Sequence, residues 1–223
     1  MNKYYEAYDK RYKQVHENNL SWSSNNPTKK VIDTLNKYLS ERDIKILEIG
    51  CGEGRDARYL LGLGYNVLAT DISPEAISYC IEKDSNHASS YKVLNACNDD
   101  SSIDTFDFIY SIACLHMLVD DTDRKGYLTF IKNHLKKNGV GLILTLGDGK
   151  KEMSSDITEA FNDSERVHAE TGKKLNIATT SCRVVSFKYL FQELESCGFE
   201  VVESGITSVE PDFREIMYVI VRW

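Results

Sequence analysis

Hydrophobic residues along the chain follow two alternating patterns. Continuous apolar runs of six to eight residues, such as IKILEI at 44–49, are typical of buried strands. Between these runs, apolar residues recur at helical spacing, as in 73–83, where Ser73 stands at the N-cap and Pro74 in the first turn. The predicted strands are 44–49, 65–72, 91–96, 106–112 and 140–146, and the predicted helices are 28–39, 57–63, 73–83 and 124–135. This alternation predicts an α/β fold: an open, mostly parallel sheet with helices on both faces.

Three segments depart from the alternation. Residues 148–181 are polar, with only weak helical periodicity, and are interpreted as an insertion that forms a mobile lid. A helix at 186–199 and two strands at 199–205 and 215–223 follow, and these strands are predicted to pair antiparallel at the C-terminus. Residues 1–27 precede the core as an aromatic arm, so the predicted division is an arm at 1–27 and a domain at 28–223.

Composition narrows the class of protein. The 223 residues are 42% hydrophobic and 27% charged, which suits one soluble domain. No segment resembles a signal peptide or a membrane span, so we expect a cytoplasmic protein without a membrane partner. The net charge of −7 disfavours nucleic acid as a partner. The six cysteines lack a CxxC pair or metal-ligand spacing, which predicts reduced thiols and no metal site.

A glycine-rich turn follows the first predicted strand, in KILEIGCGEGRDARYL at 45–60. Ligands of open α/β sheets bind beyond the carboxyl ends of the strands, and glycine lets a ligand approach the backbone closely. A merely tight turn needs one glycine, whereas Gly50, Gly52 and Gly54 together indicate a ligand. The dinucleotide fingerprint GxGxxG requires Gly or Ala where Arg55 stands, which argues against a nicotinamide cofactor.

The motif present is acidic-x-Gly-x-Gly-x-Gly, beginning at Glu48, and it resembles the first motif of class I S-adenosylmethionine-dependent methyltransferases. The resemblance implies a Rossmann-like fold and S-adenosyl-L-methionine as the cofactor. It implies that Glu48 and the Gly50 carbonyl receive the methionyl ammonium group, and that Gly52 and Gly54 allow close approach. Arg55 either meets the methionyl carboxylate or is a surface charge on the first helical turn. Cys51 is interpreted as a small side chain lining the pocket, since methyl transfer needs no protein nucleophile.

Further cofactor contacts are implied at the ends of the next strands. Asp71 ends the second strand and would bind both ribose hydroxyls, or alternatively cap the following helix. Asn95 stands where the family usually has an Asp that accepts from the adenine amino group. Ser111 would lie beside the methionine portion, and Ile72 and Ala96 are included in the cofactor site as neighbours of these positions.

The acceptor side has three candidate residues. His116 would lie near the transferred methyl group as a general base, or would only bond the backbone. Tyr12 belongs to a stripe with Tyr4 and Tyr8 at four-residue intervals, which is either a docking face or part of the acceptor site. Arg183 would hold an anionic acceptor or pair with a nearby carboxylate.

The arm adds one more resemblance. Trp22 and Pro27 frame a stretch similar to one in methyltransferases of the thiopurine and tellurite-resistance type, where the arm covers the cofactor. The sequence therefore predicts a methyltransferase that acts on a small-molecule acceptor by direct displacement. The alternatives are a cofactor-binding module without catalysis and a nicotinamide-dependent oxidoreductase. The identity of the acceptor and the oligomeric state stay open.

Overall fold

The computed structural model describes residues 3–22, 26–39, 41, 43–98, 102–168, 171–211 and 213–223. Six helices have the bounds α1 Ala7–His16, α2 Lys29–Tyr38, α3 Arg55–Gly62, α4 Pro74–Lys83, α5 Asp121–His134 and α6 Phe187–Ser196. The first five strands are β1 Lys45–Ile49, β2 Asn66–Asp71, β3 Tyr91–Val93, β4 Phe106–Ile112 and β5 Leu135–Thr145. The remaining strands are β6 Met153–Ser154, β7 Asp163–Val167, β8 Lys174–Ala178, β9 Arg183–Val184, β10 Glu200–Val209 and β11 Phe213–Arg222.

Seven strands form one sheet in the order β3-β2-β1-β4-β5-β11-β10. Strands β1 to β5 run parallel, whereas β11 pairs antiparallel with both β5 and β10. The predicted open sheet with an antiparallel C-terminal pair is confirmed. Because the order reverses between β1 and β4, the connections after these strands diverge and leave a crevice at the carboxyl edge of the sheet.

Alternate side chains of the strands pack into two separate hydrophobic cores, one on each face of the sheet. In β1, Ile46 packs with residues of α2, α3 and α4 on one face of the sheet. Leu47 and Ile49 pack on the other face with residues of α5 and α6. Both faces of the sheet are therefore covered, as the apolar runs predicted.

The segment after β5 contains short strands that the sequence pattern did not indicate. Strands β7 and β8 pair antiparallel as a hairpin, and β6 pairs with β9. Four of the five residues of β7 are exposed, so this strand lacks the apolar run by which strands were predicted. None of the helices in the described part of the chain is long and apolar enough to cross a membrane.

Candidate active site

A cavity of 710 Å³ lies at the carboxyl edge of the sheet, within the size range of small-molecule sites. The predicted site residues that line it are Tyr12, Trp22, Glu48, Gly50, Cys51, Gly52, Arg55, Asp71, Ile72, Asn95, Ala96 and His116. Its walls also include residues of the arm and of the 148–181 segment. Both flanks of the core therefore contribute to one cavity.

The backbone between β1 and α3 requires glycine at the cavity surface. Gly50 and Gly52 have φ angles of +72° and +53°, which L side chains rarely adopt. A Cβ on Gly50 would lie 2.8 Å from Cys114 Sγ, and one on Gly52 would lie 2.6 Å from the hydroxyl oxygen of Tyr12. The Tyr12 hydroxyl thus lies against the glycine loop, so this residue belongs to the predicted cofactor side rather than to the acceptor side.

Glu48 places a carboxylate beneath this loop. The residue is 3% exposed, and its Oε2 accepts a hydrogen bond of 2.9 Å from the Tyr110 hydroxyl on the adjacent strand β4. Burial raises the pKa of Glu48 well above its usual range. A cationic group beside Glu48 would offset the cost of that buried charge, so this position suits an ammonium group.

Asp71 connects the end of β2 to the glycine loop. Its Oδ2 accepts from the Gly52 amide and its Oδ1 accepts from the Ser73 amide, each at 2.9 Å. Ser73 caps α4 with its own hydroxyl, which accepts from the Ala76 amide at 3.1 Å. Asp71 is therefore not the cap of α4, and its carboxylate faces the cavity from the end of the strand.

Arg55 is a cavity residue rather than a surface charge. Its side chain is 13% exposed, and Nη2 donates to Thr28 Oγ1 at 2.7 Å and to Asp56 Oδ2 at 3.1 Å. Its Nε is buried and has no hydrogen-bond partner within the described residues. A buried donor without a partner is costly, so an anionic ligand group would gain a bond there.

The end of β3 supplies the opposite wall. Asn95 Oδ1 accepts from the Cys97 amide at 2.9 Å, and Asn95 Nδ2 donates to the Tyr5 hydroxyl at 3.4 Å. The amide oxygen predicted to accept from adenine is thus engaged locally, although a carbonyl oxygen can accept two bonds. Tyr5 lines the same wall and was not predicted, because it lies off the four-residue stripe.

Three predicted site residues are not part of the cavity lining. Ser111 is fully buried and hydrogen-bonds to Tyr127, which lines the cavity in its place. An added Cβ on Gly54 would meet Cys80 Sγ at 2.8 Å, so this glycine allows packing against α4 rather than ligand approach. The third residue is Arg183.

Arg183 was predicted either to hold an anionic acceptor or to pair with a nearby carboxylate. Its Nη1 donates to Asp121 Oδ1 at 2.7 Å and to the Val119 carbonyl at 2.6 Å, while Nη2 donates to the Tyr189 hydroxyl at 2.7 Å. The guanidinium thus contacts a carboxylate at the start of α5, as the second alternative predicted. A role toward the acceptor stays a prediction.

His116 lines the cavity, but its low basicity and its hydrogen bonding do not suit a general base. Burial and the nearby Arg124 lower the pKa of His116 to about 4, so the ring is neutral near pH 7. Its Nδ1 accepts a hydrogen bond of 3.3 Å from the Leu146 amide. A neutral ring that accepts at Nδ1 carries its proton on Nε2. Its other nitrogen is therefore a hydrogen-bond donor, which argues against the predicted role as a base.

A hydrogen-bond cluster fastens the arm to the glycine loop; we call it the arm latch. It consists of His16, Glu53, Glu75 and the backbone amide of Trp22. Glu53 is 3% exposed and accepts from the Trp22 amide at 2.9 and 2.7 Å. His16 contacts Glu53 through Nε2 at 3.0 Å and Glu75 through Nδ1 at 2.8 Å. Glu53 was not predicted, although its position inside the glycine motif was a signal that its side chain faces the site.

The arm also packs on the β7–β8 hairpin. Val15, Leu20 and Trp22 form an apolar cluster with Leu175 and Ile177 of β8. The arm and the 148–181 segment, which together cover the cavity, are thus in contact with each other. The sequence pattern predicted them only as separate segments. Residues 23–25, within the stretch from Trp22 to Pro27 that carried the resemblance of the arm, lie outside the described residues. Among the described residues, no group of three His, Cys, Asp or Glu side chains has the arrangement of a metal site.

Comparison with known families bears directly on this site. A family model described as a methyltransferase domain matches residues 23–204. The chain belongs to this methyltransferase family. The resemblance inferred from the glycine motif is therefore confirmed, and the match covers the β1–β5 core of this methyltransferase together with the segment after it.

Individual relatives of this methyltransferase match shorter regions. An uncharacterised methyltransferase of Schizosaccharomyces pombe is 36% identical over 86 residues, which are 37% of this chain and 57% of that protein. A probable S-adenosyl-L-methionine-dependent methyltransferase TehB of Haemophilus influenzae is 31% identical over 98 residues, covering 44% of this chain and 33% of that protein. The chain thus spans about half or less of the length of these relatives.

Solved structures share the fold of this methyltransferase. An S-adenosylmethionine-dependent methyltransferase of Clostridium acetobutylicum superposes with a TM-score of 0.65 at 17% identity, over 95% of each chain. A 1,6-didemethyltoxoflavin-N1-methyltransferase of Burkholderia thailandensis superposes with a TM-score of 0.68 at 18% identity, over 94% of this chain and 84% of that chain. At such identities the likeness shows the fold alone.

Proposed function

We propose that this protein is an S-adenosylmethionine-dependent methyltransferase that acts on a small-molecule acceptor. The observation that carries the proposal is the presence of two buried ionisable side chains, one acidic and one basic, in the same cavity. Glu48 offers a carboxylate beneath the glycine loop, and Arg55 offers a buried Nε donor without a partner among the described residues. These groups are complementary to the ammonium and the carboxylate of a methionyl moiety.

The remaining walls fit the nucleoside part. Asp71 presents its carboxylate at the end of β2 as the ribose partner, and Ile72 provides apolar wall beside it. Asn95 and Ala96 follow the next strand, β3, and would contact the adenine ring. Burial raises the pKa of the Cys51 thiol well above its usual range, with the neighbouring Cys80 as the largest contribution, so Cys51 is a wall residue and not a nucleophile.

The cofactor supplies an electrophilic methyl group on a sulfonium ion, which an acceptor can displace directly. The protein then has to align the acceptor and exclude water. Trp22 of the arm and Thr180 of the 148–181 segment line the cavity and would provide this cover. His116, which carries its proton on Nε2, would orient the acceptor by donating a hydrogen bond.

Relatives support a small-molecule acceptor. The Burkholderia thailandensis structure contains 1,6-didemethyltoxoflavin together with S-adenosylhomocysteine, so a protein of this fold holds both compounds. The net charge of −7 disfavours a nucleic-acid substrate. All six cysteines are free in the structure, which supports a reducing, cytoplasmic location. Cell fractionation would test that location.

Two measurements test the function. Calorimetry should show S-adenosylhomocysteine binding at one site and no binding of NAD. Methyl-labelled S-adenosylmethionine should then transfer its label to a compound in a metabolite extract. Binding of NAD in place of S-adenosylhomocysteine would contradict the proposal, and cofactor binding without transfer to any fraction would favour a non-catalytic module.

A further inference from the structure

The two ends of the cavity differ in charge. Its lining carboxylates are Glu48, Glu53, Asp56 and Asp71, and all of them lie on or next to the glycine loop and the end of β2. The other end, which we call the acceptor end, is lined by Tyr8 and Arg11 of α1, by residues of the 148–181 segment and by the residues that flank the β10–β11 turn. Among the described lining residues of the acceptor end there is no carboxylate, whereas Arg11 and Arg166 are present.

Arg11 is held in place at the acceptor end without a charged partner. Its Nη1 donates to Thr180 Oγ1 at 3.1 Å, and its guanidinium carbon lies 4.8 Å from the centre of the Trp22 ring. It makes no ion pair with any carboxylate in the described part of the chain. By contrast, Arg124 and Arg183 pair with Glu193 and Asp121. A guanidinium has five donors, so Arg11 retains donors for a ligand.

Arg166 adds a second cation at the rim of the same end. It lies on β7, is exposed and lines the cavity, and no carboxylate of the described ranges forms an ion pair with it. The protein as a whole carries a net charge of −7, so a local pair of cations is needed to attract an anion to the cavity. Arg166 is therefore positioned to attract an anionic molecule toward Arg11.

Met117, Leu118, Val209 and Phe213 give the acceptor end an apolar wall, and the 148–181 segment adds the hydroxyl groups of Ser155, Thr179, Thr180 and Ser181. The apolar wall suits a hydrophobic part of the acceptor. A cationic acceptor would need carboxylates or a free aromatic face. The face of Trp22 is already covered by the Arg11 guanidinium, and neutral His116 adds no negative charge.

The geometry points to an acceptor that is a small organic acid, with an apolar body between these walls and a carboxylate bound by Arg11. This inference rests on the proposed methyl transfer and specifies its substrate class. The planar guanidinium matches the two oxygens of a carboxylate, which explains why an arginine occupies this position. Arg166 contributes by long-range attraction.

The first experiment identifies the charge of the product. Methyl-labelled S-adenosylmethionine is incubated with the full chain and a metabolite extract, and the labelled products are separated by anion exchange and identified by mass spectrometry. Label in a carboxylic acid, or in a methyl ester formed from one, is the expected result. A labelled product that derives from a neutral, cationic or phosphorylated acceptor would overturn the inference while leaving the methyltransferase function intact. Absence of label in every fraction would refute the proposed function itself.

The second experiment tests whether Arg11 binds the carboxylate of the acceptor. With the acid identified, its KM should rise about 30-fold in Arg11→Gln, the effect of losing about 2 kcal/mol from a charge-assisted bond. Arg166→Gln should raise KM only a few-fold, and more at low salt than at high salt. Lys13→Gln removes a charge from the exposed face of the same helix and should leave KM unchanged.

The carboxamide analogue of the acid distinguishes a role of Arg11 in binding the carboxylate from a role that only supports the arm. The wild-type protein should bind the acid more tightly than the amide in the presence of S-adenosylhomocysteine, as measured by calorimetry. Arg11→Gln should bind the two equally and retain its affinity for S-adenosylhomocysteine. If Arg11→Gln weakens acid and amide by the same factor, Arg11 only supports the arm and the assignment is wrong.

Discussion

The substitution Glu53→Gln should release the arm from the glycine loop without disturbing the sheet. Glutamine has nearly the same shape as glutamate, so packing is conserved and the charge alone is removed. One amide oxygen can still accept from the Trp22 backbone, but the amide nitrogen then meets a donor where the second carboxylate oxygen stood. The charge-assisted contact with His16 is lost as well.

The expected magnitude follows from burial. Hydrogen bonds to a charged group contribute about 1.5–3 kcal/mol each, and Glu53 is 3% exposed, so solvent screens them little. Replacing two such contacts by one neutral bond should cost about 3 kcal/mol, which shifts the balance between closed and open arm about 100-fold. Glu75→Gln is the matched control, because Glu75 contacts the same histidine and its side chain is 34% exposed. Screening should limit its effect to about 0.5 kcal/mol.

The assay is limited trypsin digestion of the ligand-free protein, with cleavage after Arg11 and Lys13 followed by mass spectrometry. When opening is fast, the cleavage rate reports the open fraction of the arm. Glu53→Gln should be cleaved up to about 100-fold faster and Glu75→Gln about twice as fast. S-adenosylhomocysteine affinity should fall in the same order if the arm covers the cofactor. Equal cleavage of both variants, or cleavage of Glu53→Gln at the wild-type rate, would refute the assigned latch.

Four further outcomes are expected. Burial lowers the pKa of His16, but its bonds to the two latch carboxylates outweigh that effect and raise the pKa overall. The arm latch therefore holds below about pH 6.5 and weakens as the pH rises through the raised pKa. The rate of arm cleavage, normalised to that of an unstructured peptide, should increase from pH 6 to 9 in the wild type and stay constant in His16→Gln. Asp71→Asn should weaken S-adenosylhomocysteine binding by about 1–3 kcal/mol in calorimetry, and unchanged affinity would exclude Asp71 from the ribose site. Gly52→Ala should abolish cofactor binding, and adding Tyr12→Phe should restore part of it because the clashing hydroxyl is removed; no restoration would mean that the positive φ angle is the dominant obstacle. Prolonged chelation should leave methyl transfer unchanged, and recovery of a lost activity by an added divalent ion would contradict this.

The sequence predicted the core of the fold well because periodicity is a local property. Each apolar run contains a strand of the structure, and Ser73 caps α4 as its position indicated. Several boundaries moved: α5 begins at Asp121 instead of 124, and β5 starts at Leu135 instead of 140. In addition, β3 ends at Val93 instead of 96, and β10 continues to Val209 instead of ending at 205. The acidic residues at the start of α5 are typical of a first helical turn, and the apolar pattern alone did not include them.

The site was predicted where chemistry follows from the chain itself, and missed where it depends on contacts between distant segments. Glu48 and Asp71 end consecutive strands, so their meeting at one edge follows from the topology. The pairing of Arg183 with Asp121 joins residues 62 positions apart, and no local pattern distinguishes it from a ligand contact. The same holds for Glu53, whose partners lie in an arm whose docking position is not encoded by its own periodicity.

The contact between the arm and the 148–181 segment has a consequence for how the protein acquires activity during synthesis. The arm is made before β8, because it precedes β8 in the chain, yet its contacts through Lys10 and Arg11 reach residues 151 and 169 positions later. Contacts of such separation form late, since the chain between them must be ordered first. A nascent chain that ends before β8 would contain the complete glycine loop and the arm, but not the β7–β8 hairpin on which the arm packs. Such an intermediate would present its glycine loop to solvent, and the ability to retain the cofactor would arise only once the C-terminal half has folded.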